Sequence, residues 1–294
     1  MIKSTLIIGC GLIGSSILRS VHYKKISKEI FIYEKSLLNI KKIKQLKLPG
    51  KIIYDLKSVV PKVNFVIICT PISQYEDIFK KINKYLKPNT LVTDVGSTKN
   101  NKMQKVKNVN FIPSHPISGS EVSGPEYGNR DLFKDKWCVI TPFSKTKKKQ
   151  IKLLSQFWKK LGSKILIMDA KKHDQIFSIT SHLPHLIAYN LVKTATDFEK
   201  QKKYDLVKFS AGGLRDFSRI AASNEIMWRD IFFNNQKNIS KAIDLFIKNL
   251  CLFKKDIQSK NNKSIIKKLV DTKKVRKKII RLKQDINKPD FGRS

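Results

Sequence analysis

The chain has 294 residues, of which 41% are hydrophobic, and its 60 Lys and Arg against 23 Asp and Glu give a formal net charge of +37. The length suits about two domains, and the apolar share excludes a disordered chain. No apolar run approaches the roughly 18 residues that span a bilayer. Residues 1–9 run directly into a strand pattern, so no cleavable signal peptide is expected. Cys10, Cys69, Cys138 and Cys251 are far apart and form no CxxC pair, which argues against a disulfide framework or a zinc site and suits a cytoplasmic location.

So basic a chain raises nucleic acid as a partner. Composition argues otherwise. Only 8 of the 60 basic residues are Arg, while Ile occurs 38 times, Asn 18 times and Ala 7 times, the pattern of an AT-rich coding bias. Residues 254–294 carry 15 basic and 4 acidic residues, yet the remainder is basic too. The charge is spread over solvated faces, and nucleic acid is disfavoured.

Along the chain, STLIIG (4–9), IFIYE (30–34), KIIYD (51–55), FVIICTP (65–71) and TLVTDVGS (90–97) read as strands. They are rich in Ile and Val and nearly continuous in apolar character, as in a parallel sheet buried on both faces. Between them lie helix-like stretches, such as 73–86 with Ile78, Ile82 and Leu86 at helical spacing. NFIPSHP (110–116), WCVITP (137–142) and KILIMD (164–169) continue the strands, with a helix over 149–161. The pattern is a doubly wound, mainly parallel α/β sheet. After residue 169 the strand signal stops, and helices are predicted over 170–196, 202–209, 224–253 and 264–285. The boundary falls at 168, giving domains 1–168 and 169–294.

Gly9-Cys10-Gly11-Leu12-Ile13-Gly14 follows the first strand and opens a helix. Gly9 makes the tight turn, Gly11 admits a pyrophosphate, and Gly14 permits close helix packing. The helix N-terminus faces the phosphates. Glu34 ends the next strand, where a carboxylate binds adenosine ribose hydroxyls. A dinucleotide site follows, with NAD favoured over NADP because a 2′-phosphate would meet that carboxylate. Thr70 and Pro71 end the fourth strand and line the cleft beyond its carboxyl end.

Later strands end in DVGSTK (94–99) and SHPISGSE (114–121). A dehydrogenase oxidising a carbinol needs a base for the hydroxyl proton, and neutral His115 suits that role. The helical half opens with His173-Asp174, and His182 and His185 share a helix face. His182 reads equally well as a hydrogen-bonded core histidine. No cysteine or carboxylate set completes a metal site with these histidines. Pro184 removes a helical hydrogen bond and predicts a kink that frees the Thr180 carbonyl. GGLRDFSRIA (212–221) and MWRDI (227–231) hold three of the 8 arginines, and Arg binds carboxylates in bidentate fashion.

Together, GCGLIG, DVGSTK, SHPISGSE, HDQIFSITSHLPH, GGLRDFSRIA and MWRDI resemble the prephenate dehydrogenase family, which includes arogenate and cyclohexadienyl dehydrogenases. The resemblance implies an N-terminal Rossmann domain, an all-helical C-terminal domain that forms a homodimer, and NAD-dependent oxidative decarboxylation of prephenate, with arogenate as the alternative substrate. It implies that His115 is the catalytic histidine and Ser97 its serine partner. It further implies that Arg219 binds a substrate carboxylate and Glu121 pairs with that arginine. By the same resemblance His185 contacts substrate, and Gly212, Asp216 and Trp228 line or support the pocket. The Lys-rich tail matches no motif of the family.

Two other enzyme and binding readings compete. A β-hydroxyacid-type dehydrogenase uses a lysine in its helical half, whereas the base candidate here sits at a strand end. A nucleotide-binding regulator without catalysis is disfavoured by the presence of His115, Ser97 and Arg219 together.

Overall fold

A computed structural model describes residues 2–99, 110–203 and 205–282. Five parallel strands, β1 (Ile2–Ile8), β2 (Ser27–Tyr33), β3 (Lys51–Ile53), β4 (Phe65–Ile68) and β5 (Leu91–Asp94), form one sheet in the order β3-β2-β1-β4-β5. β4 and β5 are buried along their whole length, which is why their sequences show no polar alternation. Strand geometry sends Leu6 and Ile8 to one face and Ile7 to the other, where each joins a separate core. Helices α1 (Leu12–Tyr23), α2 (Leu37–Gln45), α3 (Leu56–Val59) and α4 (Tyr75–Ile82) connect the strands.

The remaining strands depart from the single sheet expected. β6 (Ser114–Pro116), β7 (Trp137–Ile140) and β8 (Lys164–Ile167) make a second sheet, with β6 antiparallel to β7 and β7 parallel to β8. A lone bridge between Val92 and Phe111 joins the two sheets. Pro113 and Pro116 have no N–H to donate, so the 110–116 run cannot continue a ladder along β5. Helix α5 (Lys148–Leu161) leads into β8 and packs Phe157 and Trp158 into the core on the Ile7 side.

Helices follow from Ala170 onward: α6 (Ala170–Phe177), α7 (Leu183–Lys202), α8 (Gly212–Ala221), α9 (Glu225–Asn234), α10 (Gln236–Gln258) and α11 (Asn262–Arg281). The kink expected at Pro184 takes the form of a π-helical turn, Ser178–His182, between α6 and α7. The helix expected over 202–209 is only a 3₁₀ turn at Val207–Phe209, and α7 instead ends in Lys203 at φ 55°. The helix expected over 224–253 is two helices broken at Asn235, whose side chain is diverted to Asp174 and His182. Residues 283–285 of the expected last helix lie outside the described residues. No described helix is long and apolar enough to cross a membrane.

Candidate active site

The glycine loop follows β1 because Gly9 takes φ +90°, and a Cβ there would sit 2.9 Å from the Cys69 carbonyl oxygen. A Cβ at Gly14 would lie 2.1 Å from the Gly9 carbonyl oxygen, so α1 can start this close to the loop only with glycine. Around Gly11, by contrast, a Cβ would meet nothing within 4 Å, and no side chain caps α1. Open space beside uncapped helix N–H groups fits a dinucleotide pyrophosphate. Leu12 and Ile13, half-buried, form the first turn. Glu34 follows β2 and accepts from Cys10 N at 2.8 Å and Ser36 N at 2.9 Å. Its carboxylate is therefore already fixed at the rim of the glycine loop. Thr70 and Pro71 lie beyond β4 as expected, and the buried Thr70 Oγ1 has no hydrogen-bond partner.

His115 sits on β6, a strand held by side chains. Ser114 N donates to Asp94 Oδ1 at 3.1 Å, Ser114 Oγ donates to the Asp94 carbonyl at 2.7 Å, and Trp158 Nε1 donates to Ser114 Oγ at 3.1 Å. Asp94 also binds Lys99 Nζ at 2.7 Å in a pair whose side chains are at most 2% exposed. His115 is itself 8% exposed. Burial first, then the neighbouring His173 and Lys99, push its pKa well below the ordinary 6.5, so it is neutral at pH 7.

The structure gives His115 Nδ1 a partner that sequence spacing does not reveal. His115 Nδ1 lies 2.9 Å from His173 Nε2, and His173 Nδ1 lies 2.7 Å from Asp174 Oδ1. Ser97 is half-buried in the loop after β5, and its main chain faces His182. His182 is a core histidine. It is fully buried, it is bonded to Asn235, and burial holds its pKa at about 4. The adjacency of His173 and Asp174 was visible in the sequence. Their convergence on His115, 58 residues away, was not.

In the helical half, Arg219 on α8 donates to Glu121 Oε2 at 3.2 Å, the pairing anticipated. Glu121's own backbone N–H and then Arg219 hold its carboxyl below the ordinary range. His185 donates from Nδ1 to the Ser181 carbonyl at 3.0 Å, which leaves Nε2 as an acceptor. Its ring stacks on Trp228 at 3.9 Å and 24°. Gly212 and Asp216 occupy exposed positions on α8. Among buried polar atoms lacking a partner are Thr70 Oγ1, Ser118 Oγ, Arg219 Nε and Trp228 Nε1. All four lie on segments of the predicted site, and unpaired buried groups are what a polar ligand would satisfy. Among the described residues no group of three His, Cys, Asp or Glu side chains is arranged to hold a metal ion.

A family model for the prephenate dehydrogenase nucleotide-binding domain matches residues 17–167, and one for the prephenate dehydrogenase dimerization domain matches 169–287. The chain is 30% identical to a cyclohexadienyl dehydrogenase of Zymomonas mobilis, over 93% of this chain and 95% of that one. It is 32% identical to a prephenate dehydrogenase of Lactococcus lactis, over 93% of this chain and 77% of the relative. Among solved structures, prephenate dehydrogenase from A. aeolicus in complex with hydroxyphenyl propionate and NAD+ superposes with a TM-score of 0.89 at 33% identity. That match covers 95% of this chain and 99% of the other.

Proposed function

Since the chain belongs to the prephenate dehydrogenase family, we propose that it oxidises and decarboxylates prephenate to 4-hydroxyphenylpyruvate with NAD. The observation that carries this reading is a buried, neutral His115 on β6 of a chain that also has an open glycine loop. Gly9, Gly11, Leu12, Ile13, Gly14, Glu34, Thr70 and Pro71 hold the dinucleotide. When bound, the nicotinamide supplies the acceptor for the hydride leaving the ring carbon that bears the hydroxyl. His115 takes the hydroxyl proton, and Ser97, its serine partner, orients that imidazole or the substrate hydroxyl. General-base help of this kind is worth about 10²- to 10⁴-fold.

Arg219, exchanging Glu121 for substrate, binds a carboxylate of the dianion. His185, stacked on Trp228, contributes a polar edge, while Gly212 and Asp216 support the same pocket. The carbonyl formed at the oxidised carbon is an electron sink for the ring carboxylate. Loss of carbon dioxide then leaves an aromatic phenolate, which takes back the proton held by His115 to become the phenol, and aromatisation makes the sequence strongly downhill. Residues 1–168 form the cofactor domain and 169–294 the substrate and dimer domain. The match to a dimerization domain over 169–287 and the exposed Leu245, Leu250, Ile266 and Leu269 on α10 and α11 support a homodimer.

The cyclohexadienyl dehydrogenase relative favours a second reading, in which arogenate is used as well. An NADH-production assay with prephenate and with arogenate, each with NAD and with NADP, tests both. Prephenate with NAD is expected to give the highest turnover. Comparable turnover of arogenate selects the second reading, and no turnover of either substrate overturns both.

A further inference from the structure

The imidazoles of His115 and His173 and the Asp174 carboxylate form a continuous buried chain whose proton positions are determined by chemistry. Asp174 Oδ1 accepts the backbone N–H of Lys99 at 2.8 Å and lies 2.7 Å from His173 Nδ1. An ionised carboxylate only accepts, so His173 carries its proton on Nδ1. A neutral imidazole has a single N–H, so His173 Nε2 is a bare lone pair. That atom is 2.9 Å from His115 Nδ1, which must therefore be the donor. His115 Nε2 is left without a proton, as a base requires.

Water cannot substitute in this chain. His173 and Asp174 are fully buried, and the Phe177 ring covers both imidazoles at centroid distances of 5.0 and 4.5 Å. Asn235, at the break between α9 and α10, fixes the Asp174 main chain through Nδ2 at 2.8 Å. The first turn of the helical half thus orients a side chain on the sheet half.

We propose that Asp174 and His173 are positioning residues that lock His115 in its Nδ1–H tautomer, and that the two imidazoles take up the substrate hydroxyl proton as one unit. The proposal rests on the reading of His115 as the base in that oxidation. As the substrate O–H bond breaks, a bond forms from the proton to His115 Nε2. The proton on His115 Nδ1 passes along the 2.9 Å hydrogen bond to His173 Nε2. The positive charge then rests on His173 beside Asp174, and no proton leaves the chain in this step. The pair accepts one proton only, because two adjacent imidazolium ions repel in a buried site.

Two measurements on the full chain test this. In protein labelled with ¹⁵N-histidine, long-range ¹H–¹⁵N correlation reports the tautomer of each ring, with His115→Asn and His173→Phe used for assignment. Both His115 and His173 are expected as Nδ1–H tautomers, and an Nε2–H signal from either overturns the proposal. Second, Asp174→Asn is expected to lower kcat by about 10²-fold with KM little changed. It should also move the acid limb of kcat to lower pH, because the carboxylate that favours the protonated pair is gone. Lys99, Asp94 and His182, the other charged and titratable groups facing the two rings among the described residues, stay in place. A fall in kcat with an unmoved acid limb would mean a merely structural role and overturns the proposal. The spectrum of the wild-type protein does not depend on activity, so inactivity on both substrates defeats the functional reading and leaves the tautomer result to stand or fall separately.

Discussion

Lys99→Met removes an ammonium group 2.7 Å from Asp94 Oδ2 in a place water does not reach, both side chains being at most 2% exposed. Asp94 keeps neutral partners: Tyr75 Oη and Gly96 N donate to Oδ2 at 3.0 Å, and Ser114 N to Oδ1 at 3.1 Å. Truncating one member of a buried pair costs about 3–5 kcal/mol, because the other charge stays buried without its counterion. The three retained donors place the expected loss at the lower end, about 3 kcal/mol. The Lys193–Asp197 pair is also 2.7 Å long, but its side chains are 70% and 46% exposed. Its loss through Lys193→Met is expected to cost at most about 1 kcal/mol. Urea unfolding of the two variants beside wild type makes the comparison at equal distance and different burial. Asp94→Asn in the Lys99→Met background should recover part of the loss, since the stranded charge goes with it. If Lys99→Met is no more destabilising than Lys193→Met, burial is not what gives the inner pair its weight, and the reasoning fails.

Gly14→Ala places a Cβ about 2.1 Å from the Gly9 carbonyl, so the glycine loop must shift; NAD affinity should drop at least tenfold by fluorescence titration, against a Gly11→Ala control with little change in the free protein's stability. His115→Asn should cut kcat by about 10²-fold or more while leaving NAD affinity nearly intact. In the wild type, kcat/KM should stay level through neutral pH and fall only below 6.5. The base works unprotonated, and burial lowers its pKa, so its active form persists to more acid pH. Arg219→Ala should raise KM for prephenate by about 10- to 100-fold, the value of charge-assisted hydrogen bonds to a carboxylate. Glu121→Gln should lower KM less than about fivefold, since the partly exposed pair it dissolves is worth at most about 1 kcal/mol. An unchanged KM in Arg219→Ala removes that residue from the carboxylate site.

The basic charge first suggested a polyanion, and the site instead offers a dinucleotide cradle and one arginine paired with a carboxylate. Local pattern was enough for much of this. All eight strand-like runs contain a strand, and in all but β6, which is Ser-His-Pro, the strand is built around Ile, Val or Leu, which have few other uses between turn residues. The glycine spacing followed by Glu34 was legible because a tight turn, an uncapped helix and the next strand end are close in sequence.

Contacts between distant residues were not legible. Pro113 and Pro116 mark where the 110–116 run must leave the ladder along β5, but not that β6 then pairs antiparallel with β7, because pairing depends on which strand each run lies beside. Asn235 looked like one more polar residue within a helix, and it breaks that helix because Asp174 and His182 lie within its reach. The contact of His173 with His115 is of the same kind. Sequence spacing fixes which residues share a turn or a helix face, since backbone geometry repeats locally. Only packing of α6 against the ends of β5 and β6 brings Asp174, His173 and His115 into line and excludes water from between them. The residue types determined that a base and an arginine were available. The tertiary structure decided which side chains stand beside His115 Nδ1.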